Sequence, residues 1–556
     1  MIIAPSRQST WAMLIMVVSL ATAYGNTFSV PFIFDDTINI IENLSIRSLW
    51  PPWHSLVIPA DTGLAGRPII NLSLAFNYAI SGGQVWSYHL LNLIVHILAT
   101  LTLYGILRRS LTAHRGGALA LMGALLWGLH PLQTQAVTYI IQRCESLMAL
   151  FCLLTMYCAL RGWRSRNQTA WHLSAILSFL LAVGSKEVAV AAPFILLCYE
   201  WAFRRNHALQ SARRSPILYA GLALGLIVAF LTAAGANTLN ARIENTHIDL
   251  GRYWMTQCPI ILHYLRLAIW PSPLIIDYGW PAATFEEAWP AMTVVILFVI
   301  TAMLALWKRK PEGFLGVCFF LVLAPSSLIP LPDLAFEHRM YLPLAFVILL
   351  GMSALVRAYT WAMKRDNGRV IQISPYSLNV TMILAMAVAL SFWVLTFQRN
   401  HDYRSATAIW SDTIEKRPTN FRGYHGLGLA LAGEGRYTEG LDQLRHALKL
   451  NPANAYTNID TGYMLMLLNR PDEAIPLFRK AVEIKPLQAK AHNNLGAALA
   501  QTGRLEEATF HFSEALKIKP DYTDARRNLI RSTSERENRS RETNPNPARG
   551  VSVREK

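Results

Sequence analysis

The chain of 556 residues is 53% hydrophobic and 15% charged, with a formal net charge of +16, where an ordinary soluble domain carries about 25% charged residues. That balance excludes a soluble globular enzyme, and repeated apolar windows of about 20 residues match the thickness of a bilayer core. The positive excess does not mark a nucleic-acid surface, because much of it sits in short clusters between apolar segments: Arg108 and Arg109, RGWRSR from Arg161, Arg204 and Arg205, and KRK from Lys308.

Apolar windows predict spans near 11–30, 86–107, 117–139, 145–160, 170–184, 187–203, 216–234, 290–307, 313–330, 340–358 and 377–398. The fold class expected is therefore all-α, a polytopic bundle of about 11 spans. A cytoplasmic N-terminus places the Lys/Arg clusters at 108–115, 161–166, 204–214, 308–310 and 357–369 inside, as basic loops require. The stretch WMTQCPIILHYLRLAIW at 254–270 would break that agreement if it crossed, so it reads as an interfacial or re-entrant helix. Ala21 to Ala23 resemble a signal cleavage site, yet the many later spans favour an uncleaved anchor. Cys144, Cys152, Cys158, Cys198, Cys258 and Cys318 lie mostly in or beside apolar stretches without a C-x-x-C pair, which suits packing rather than redox or metal chemistry.

This topology gathers polar groups on the outer face: the loop 31–85 with Asp35 and Asp36, HPLQTQAVTYIIQRCE, GSKE, the stretch 235–289 with DYGW, and PDLAFEHRMYLP. A chemically loaded boundary on one side points to a site at the membrane surface rather than to a pore.

After residue 398 the chain becomes amphipathic and charged. Three 34-residue segments repeat their landmarks in register: Gly428, Gly462, Gly496; Gly440, Ala474, Ala508; Leu444, Phe478, Phe512; Ala447, Ala481, Ala515; Pro452, Pro486, Pro520. That is the tetratricopeptide pattern, an α-solenoid with a groove suited to peptides. Ala406, Trp410 and Pro418 fall on the same grid, so the solenoid begins directly after the last span. The expected domains are a membrane unit 1–398, repeats 399–530 and a disordered basic tail 531–556.

The motifs FIFDDTINIIEN, GRPIINLSLAFNYAISGGQVWSYHLLNLIVHIL, LLWGLHPLQTQAVTYIIQRCESLMALFCLL, SKEVAVAAPFILLCYEW, IIDYGWP and FEHRMYLP, followed by the repeats, resemble the transmembrane and tetratricopeptide-repeat O-mannosyltransferases, polyprenyl-phosphate-sugar-dependent glycosyltransferases of the GT-C fold. The resemblance implies transfer of a sugar, mannose in the eukaryotic members, from a lipid phosphate to a protein Ser or Thr hydroxyl outside the cytoplasm. The transfer is expected to be inverting. The compact chain suggests a bacterial cytoplasmic membrane.

A hydroxyl attacking an anomeric carbon needs a base, and a leaving phosphate needs cations. The resemblance implies that Asp35 or Asp36 is catalytic without choosing between them. Adjacent residues of an extended loop point apart, so one of the two reaches the acceptor; the bland reading is a loop pair or a helix N-cap. Arg339, with Glu337 orienting it and His338 beside it, is the first candidate for the donor phosphate. Lys186 beside Glu187 and Arg143 beside Glu145 suit either a phosphate pocket or plain ion pairs, and the resemblance adds Arg67. Asp277 and Tyr278 are candidates to line the sugar or acceptor site and Trp280 to stack on the sugar ring, although an aromatic belt explains Trp270, Trp280 and Trp289 equally; His130 is a further candidate, for which a helix end before proline is the commoner reading. Asp35 and Asp36 lack a further carboxylate cluster, so neither metal nor cofactor is expected. The expected partners are the polyprenyl-phosphate sugar and an acceptor polypeptide held by the repeats. The alternatives are a lipid or glycan acceptor, or a non-enzymatic scaffold; few mid-span charges argue against a transporter.

Overall fold

The computed structural model describes residues 7–58, 63–111, 116–204, 208–235, 248–367 and 375–543. Contacts divide the chain into two units, 1–409 and 410–556.

The first unit is a helical bundle. Its longer helices are α1 (Arg7–Ala23), α2 (Pro68–Ser81), α3 (Trp86–Ser110), α4 (Gly116–Gly128), α5 (Arg143–Gly162), α6 (Gln168–Val183), α7 (Ala191–Tyr199), α8 (Pro216–Gly235), α9 (Leu250–Ile269), α10 (Phe285–Trp307), α11 (Pro311–Leu328), α12 (Pro343–Asn367) and α13 (Pro375–Asp402). Among the described residues, five segments are long and apolar enough to cross a bilayer: α3, Ile140–Gly162, α10, α11 and Met382–Asp402. Gly116–Gly128, Gln168–Val183, Pro216–Thr232 and Pro343–Ala358 are shorter apolar helices. The expected span 11–30 corresponds to α1, which stops at Ala23, and 187–203 is broken into a 3₁₀ turn, α7 and a π turn.

The window 117–139 is not one span. Its helix ends at Gly128, because Pro131 drives His130 into an extended conformation with ψ of 132°, as proline does to the residue before it. Residues 131–142 then form three short turns. By contrast, α9 lies along one end of the bundle. Tyr253 and Trp254 near its start donate to the carbonyls of Ser326 and Leu328, while Tyr264 meets Phe336 N and the Ala268 carbonyl near its other end meets His130. Helix α2 is likewise anchored at both ends to this side, through Gly184 and the turn leading into α3.

The repeats form helices α14 (Ala406–Lys416), α15 (Phe421–Gly433), α16 (Tyr437–Leu450), α17 (Ala455–Leu467), α18 (Pro471–Ile484), α19 (Ala489–Gln501), α20 (Leu505–Ile518) and α21 (Thr523–Thr543). The landmark glycines allow paired helices to touch: a Cβ on Gly462 would stand 2.7 Å from Phe478, and one on Gly496 2.7 Å from Phe512. Helix α21 corrects the reading of 531 onward as disordered. Its charges form i,i+3 and i,i+4 pairs, Arg527 with Asp524 and Arg531 with Glu535, and Ser532 is buried against the Leu505 carbonyl, so the helix continues to Thr543. Residues 544–556 lie outside the described residues.

Candidate functional site

One end of the bundle is organised around residues 139–145. Phe34 turns the chain with φ of +49°, a left-handed conformation that is strained for a bulky side chain. Its ring stacks on Tyr139 with centroids 6.3 Å apart. The next residue, Asp35, donates its N–H to the Tyr139 hydroxyl at 2.8 Å and is half-buried. Asp36 is fully buried. Its carboxylate accepts from Ile33 N at 3.1 Å and Ile141 N at 2.8 Å, tying the loop to the turn before α5. Burial pushes the Asp36 carboxyl up to about 8; the two N–H bonds oppose that rise and the neighbouring Asp35 charge adds to it. Asp36 holds the N-cap position of the π turn Thr37–Ile41 but makes no side-chain cap bond.

The cations pair across segments rather than with their sequence neighbours. Lys186 meets Glu145 at 2.5 Å, and Arg67 Nη2 reaches both Glu187 oxygens at 3.2 Å. The side chains of Arg67 and Lys186 stay 17% and 12% exposed, and Arg67 Nε is buried without a hydrogen-bond partner. Arg143 is not placed for a donor phosphate. It is fully enclosed, donating to Asn92 Oδ1 (2.5 Å), Asn77 Oδ1 (2.6 Å), the Ser73 hydroxyl (3.2 Å) and the Tyr88 carbonyl (2.9 Å). A guanidinium so surrounded holds α2, α3 and α5 together.

The segment 331–342 closes this end from another side. His338 accepts its place from Gln135: its N–H and its Nδ1 lie 2.8 and 3.1 Å from Gln135 Oε1, and Gln135 Nε2 donates to the Ile276 carbonyl at 2.7 Å. Burial, together with the charges of Lys186, Arg339 and Arg67, holds the His338 imidazole well below its usual pKa, so it is neutral beside these cations. Arg339 is nearly buried and commits Nη1 and Nη2 to the carbonyls of Leu334 and Asp333. Glu337 does not orient it through these bonds; it accepts from Ile275 N and the Tyr278 hydroxyl at 2.5 and 2.8 Å. Tyr278 and Asp277 are buried, Asp277 bonding Gly279 N, and the Trp280 ring packs against His263. His130 is buried between the Ala268 carbonyl and Leu132 N. The buried residues among these build the floor of the site end, and among the side chains left partly accessible are the charged groups Asp35, Arg67, Lys186 and Glu187. Tyr139 and Gln135 escaped the sequence reading; their only signal was a run of polar residues, Gln133, Thr134 and Gln135, inside an apolar window. The end of α13 reaches the same place, through Asn400 Oδ1 and the Thr138 hydroxyl at 2.6 Å.

In the second unit a cavity of about 610 Å³ is lined by Tyr463, Lys490, Asn493, Asn494, Tyr522 and Asn528 among others. Asn528 Nδ2 donates to Asn493 Oδ1 at 3.0 Å, whereas Asn494 Nδ2 is buried without a partner.

A family model described as dolichyl-phosphate-mannose-protein mannosyltransferase matches residues 66–232, and tetratricopeptide models match 393–455, 425–489 and 489–522. Protein O-mannosyl-transferase TMTC3 of Mus musculus is 22% identical over 515 residues, covering 83% of this chain and 53% of its own. The chain is similar to protein O-mannosyl-transferases over most of its length. Among these transferases, TMTC2 of Mus musculus is 29% identical over 252 residues, 42% of this chain and 28% of its own, and Tmtc1 of Drosophila melanogaster is 24% identical over 546 residues, 78% and 61%. The chain spans about half the length of the first of these transferases. A solved tetratricopeptide domain, that of Sgt2 from Aspergillus fumigatus, aligns with 24% of this chain and 90% of its own at 19% identity and a TM-score of 0.23. The mannosyltransferase match contains Arg67, His130, Arg143 and Lys186, while Asp35, Asp36 and the segment 331–342 lie outside it.

Proposed function

We propose that this protein is a membrane mannosyltransferase that moves a hexose from a polyprenyl phosphate to Ser or Thr hydroxyls of proteins on the extracytoplasmic side, with inversion. The observation that carries this is the gathering at one end of the bundle of half-buried Asp35, bonded through its N–H to Tyr139, with two partly accessible cations, Lys186 on Glu145 and Arg67 on Glu187 next to Lys186. The similarity to protein O-mannosyl-transferases supports the reaction class.

In this reading Asp35 takes the proton as the acceptor oxygen attacks the anomeric carbon. The bond from that carbon to the phosphate oxygen breaks, and the electron pair leaves with the lipid phosphate. Arg67 and Lys186 stabilise the charge that develops there, with neutral His338 beside them as a hydrogen-bonding group. Asp36 is a positioning residue that holds the Asp35 turn against Ile141. The repeat cavity, lined by asparagine amides and tyrosines with Lys490 and Asp524, holds the acceptor polypeptide.

The test is transfer by purified full-length protein from labelled polyprenyl-phosphate mannose, with host extract as acceptor. Label entering protein in the wild type and lost in Asp35→Asn supports the reading. Label entering only lipid or glycan removes the protein acceptor. Equal transfer by wild type and Asp35→Asn removes Asp35 as the base.

A further inference from the structure

The loop that follows the aspartates buries a hydrogen-bonded polar cluster beside Ile40 and Ile46 and exposes most of its other large apolar side chains. Asn43, Ser55 and Asn71 are buried and satisfy one another: Asn43 Nδ2 donates to Asn71 Oδ1 at 2.9 Å, Asn71 Nδ2 to the Ser55 carbonyl at 2.7 Å, and the Ser45 hydroxyl to Asn43 Oδ1 at 2.6 Å. The Ser55 hydroxyl closes the loop on the Ser48 carbonyl at 3.0 Å. Pointing away from this polar centre, Leu44 is 80% exposed, Trp50 79%, Val57 73% and Trp53 60%, and Ile38 and Ile41 are about half exposed. Helix α2 buries Asn71 and Asn77 beside Ile70, Leu74 and Ala75 and likewise exposes two large apolar side chains, Phe76 and Ile80.

In water this much apolar exposure would be costly, because exposed apolar area loses roughly 25 cal/mol per Å². Against lipid it is the expected order: polar groups are satisfied internally and apolar side chains face outward. The chain also runs on into a helix long and apolar enough to cross a bilayer, with an exposed apolar row of its own. Helix α2 leads through a short turn to Trp86, the first residue of α3, whose exposed Leu90, Ile94 and Leu98 follow along the helix. Tryptophans at 50, 53 and 86 suit the headgroup level, and Glu42 and His54, also exposed, reach water from that depth.

We infer that residues 37–58 lie in the bilayer interface with this apolar face among lipid chains, holding the Asp35 turn at the membrane surface. The occupant is the bilayer itself. The inference rests on the bundle being a membrane protein and not on the transfer reaction, so it stands or falls separately.

The test places an environment-sensitive fluorophore on Leu44→Cys or Val57→Cys of the full chain, in a Cys198→Ala and Cys258→Ala background, reconstituted in phosphatidylcholine vesicles. Lys480→Cys in the repeats is the water reference. The expected result at both loop positions is blue-shifted emission, quenched by about half by lipid carrying a doxyl group high on its chain and shielded from iodide; Lys480→Cys behaves in the opposite way. Iodide quenching of the loop without doxyl quenching overturns the inference. So does blue-shifted emission that doxyl lipid leaves unchanged, which would place protein on this face. Doxyl quenching abolished by added polyprenyl phosphate would give the face to the donor's isoprenoid chain instead, and would also overturn it.

Discussion

A carboxylate whose two oxygens each accept a backbone N–H cannot become an amide without turning an NH₂ toward a donor. Asp36 is so held by Ile33 and Ile141, so Asp36→Asn is expected to lose about 1–3 kcal/mol of stability and to lower activity only through misplacement. Asp35→Asn is expected to melt like wild type and to lose transfer by at least about a hundredfold. Melting temperatures of the two variants beside their turnover check the division of roles. Asp36 also predicts a pH dependence. Its folded pKa is raised by burial to about 8, so the stability it gives is complete below the ordinary carboxylate range and is lost as pH climbs through about 8. The midpoint of wild type should therefore fall between acidic pH and about pH 9 more steeply than that of Asp36→Asn, which has no group to titrate there; parallel curves would remove Asp36 as the cause.

The two arginines near α5 should respond differently. Arg143→Leu strands Asn92, Asn77, Ser73 and the Tyr88 carbonyl without their donor, at about 1–3 kcal/mol for each buried unsatisfied group, so the expected result is loss of folded protein. Arg67→Ala removes a cation that is 17% exposed and is assigned to the charge developing on the leaving phosphate, so kcat and kcat/KM for the lipid donor should both fall about tenfold or more. An unchanged kcat would take Arg67 out of that role.

At the scale of elements, the repeats were legible because their landmarks are contacts: glycine stands where a phenylalanine of the partner helix lies 2.7 Å from any added Cβ. Phe478, fully buried in the repeat core, should cost about 3–5 kcal/mol when cut to alanine. Limited proteolysis of the full chain should then cleave within residues 421–518 at least about a hundredfold faster where cleavage follows the locally opened population, with the bundle fragments unchanged. Unaltered cleavage would mean the repeat core does not depend on that ring. The site was less legible, for reasons of geometry. Arg143 and Glu145 are two residues apart on α5, and such positions face different directions on a helix; Lys186 is extended, with φ of −161°, so its side chain and that of Glu187 diverge. Pairing by sequence neighbourhood therefore failed, and the actual partners lie 41 and 120 residues away. Hydropathy also merged 117–139 into one span because it weighs side chains and not the backbone, whereas Pro131 ended the helix.

At the scale of the whole molecule, the first bundle unit sorts its chemistry by end. Asp36 to Ile141, Arg67 to Glu187, Lys186 to Glu145, Gln135 to His338 and Ile276, and Thr138 to Asn400 all join at one end. The clusters RGWRSR and KRK fall at the opposite ends of α5 and α10. Basic loops stay in the cytoplasm, so the end bearing Asp35 should face outward. Gly83, exposed in the turn between α2 and α3 with open space around it, and Arg166, exposed after α5, report the two ends. In intact cells a membrane-impermeant maleimide should label Gly83→Cys at once and Arg166→Cys only after permeabilisation. The reverse pattern would put Asp35 in the cytoplasm, where an acceptor polypeptide would have to be modified before export, and the extracytoplasmic transferase would have to be abandoned even if the chemistry at Asp35 survived.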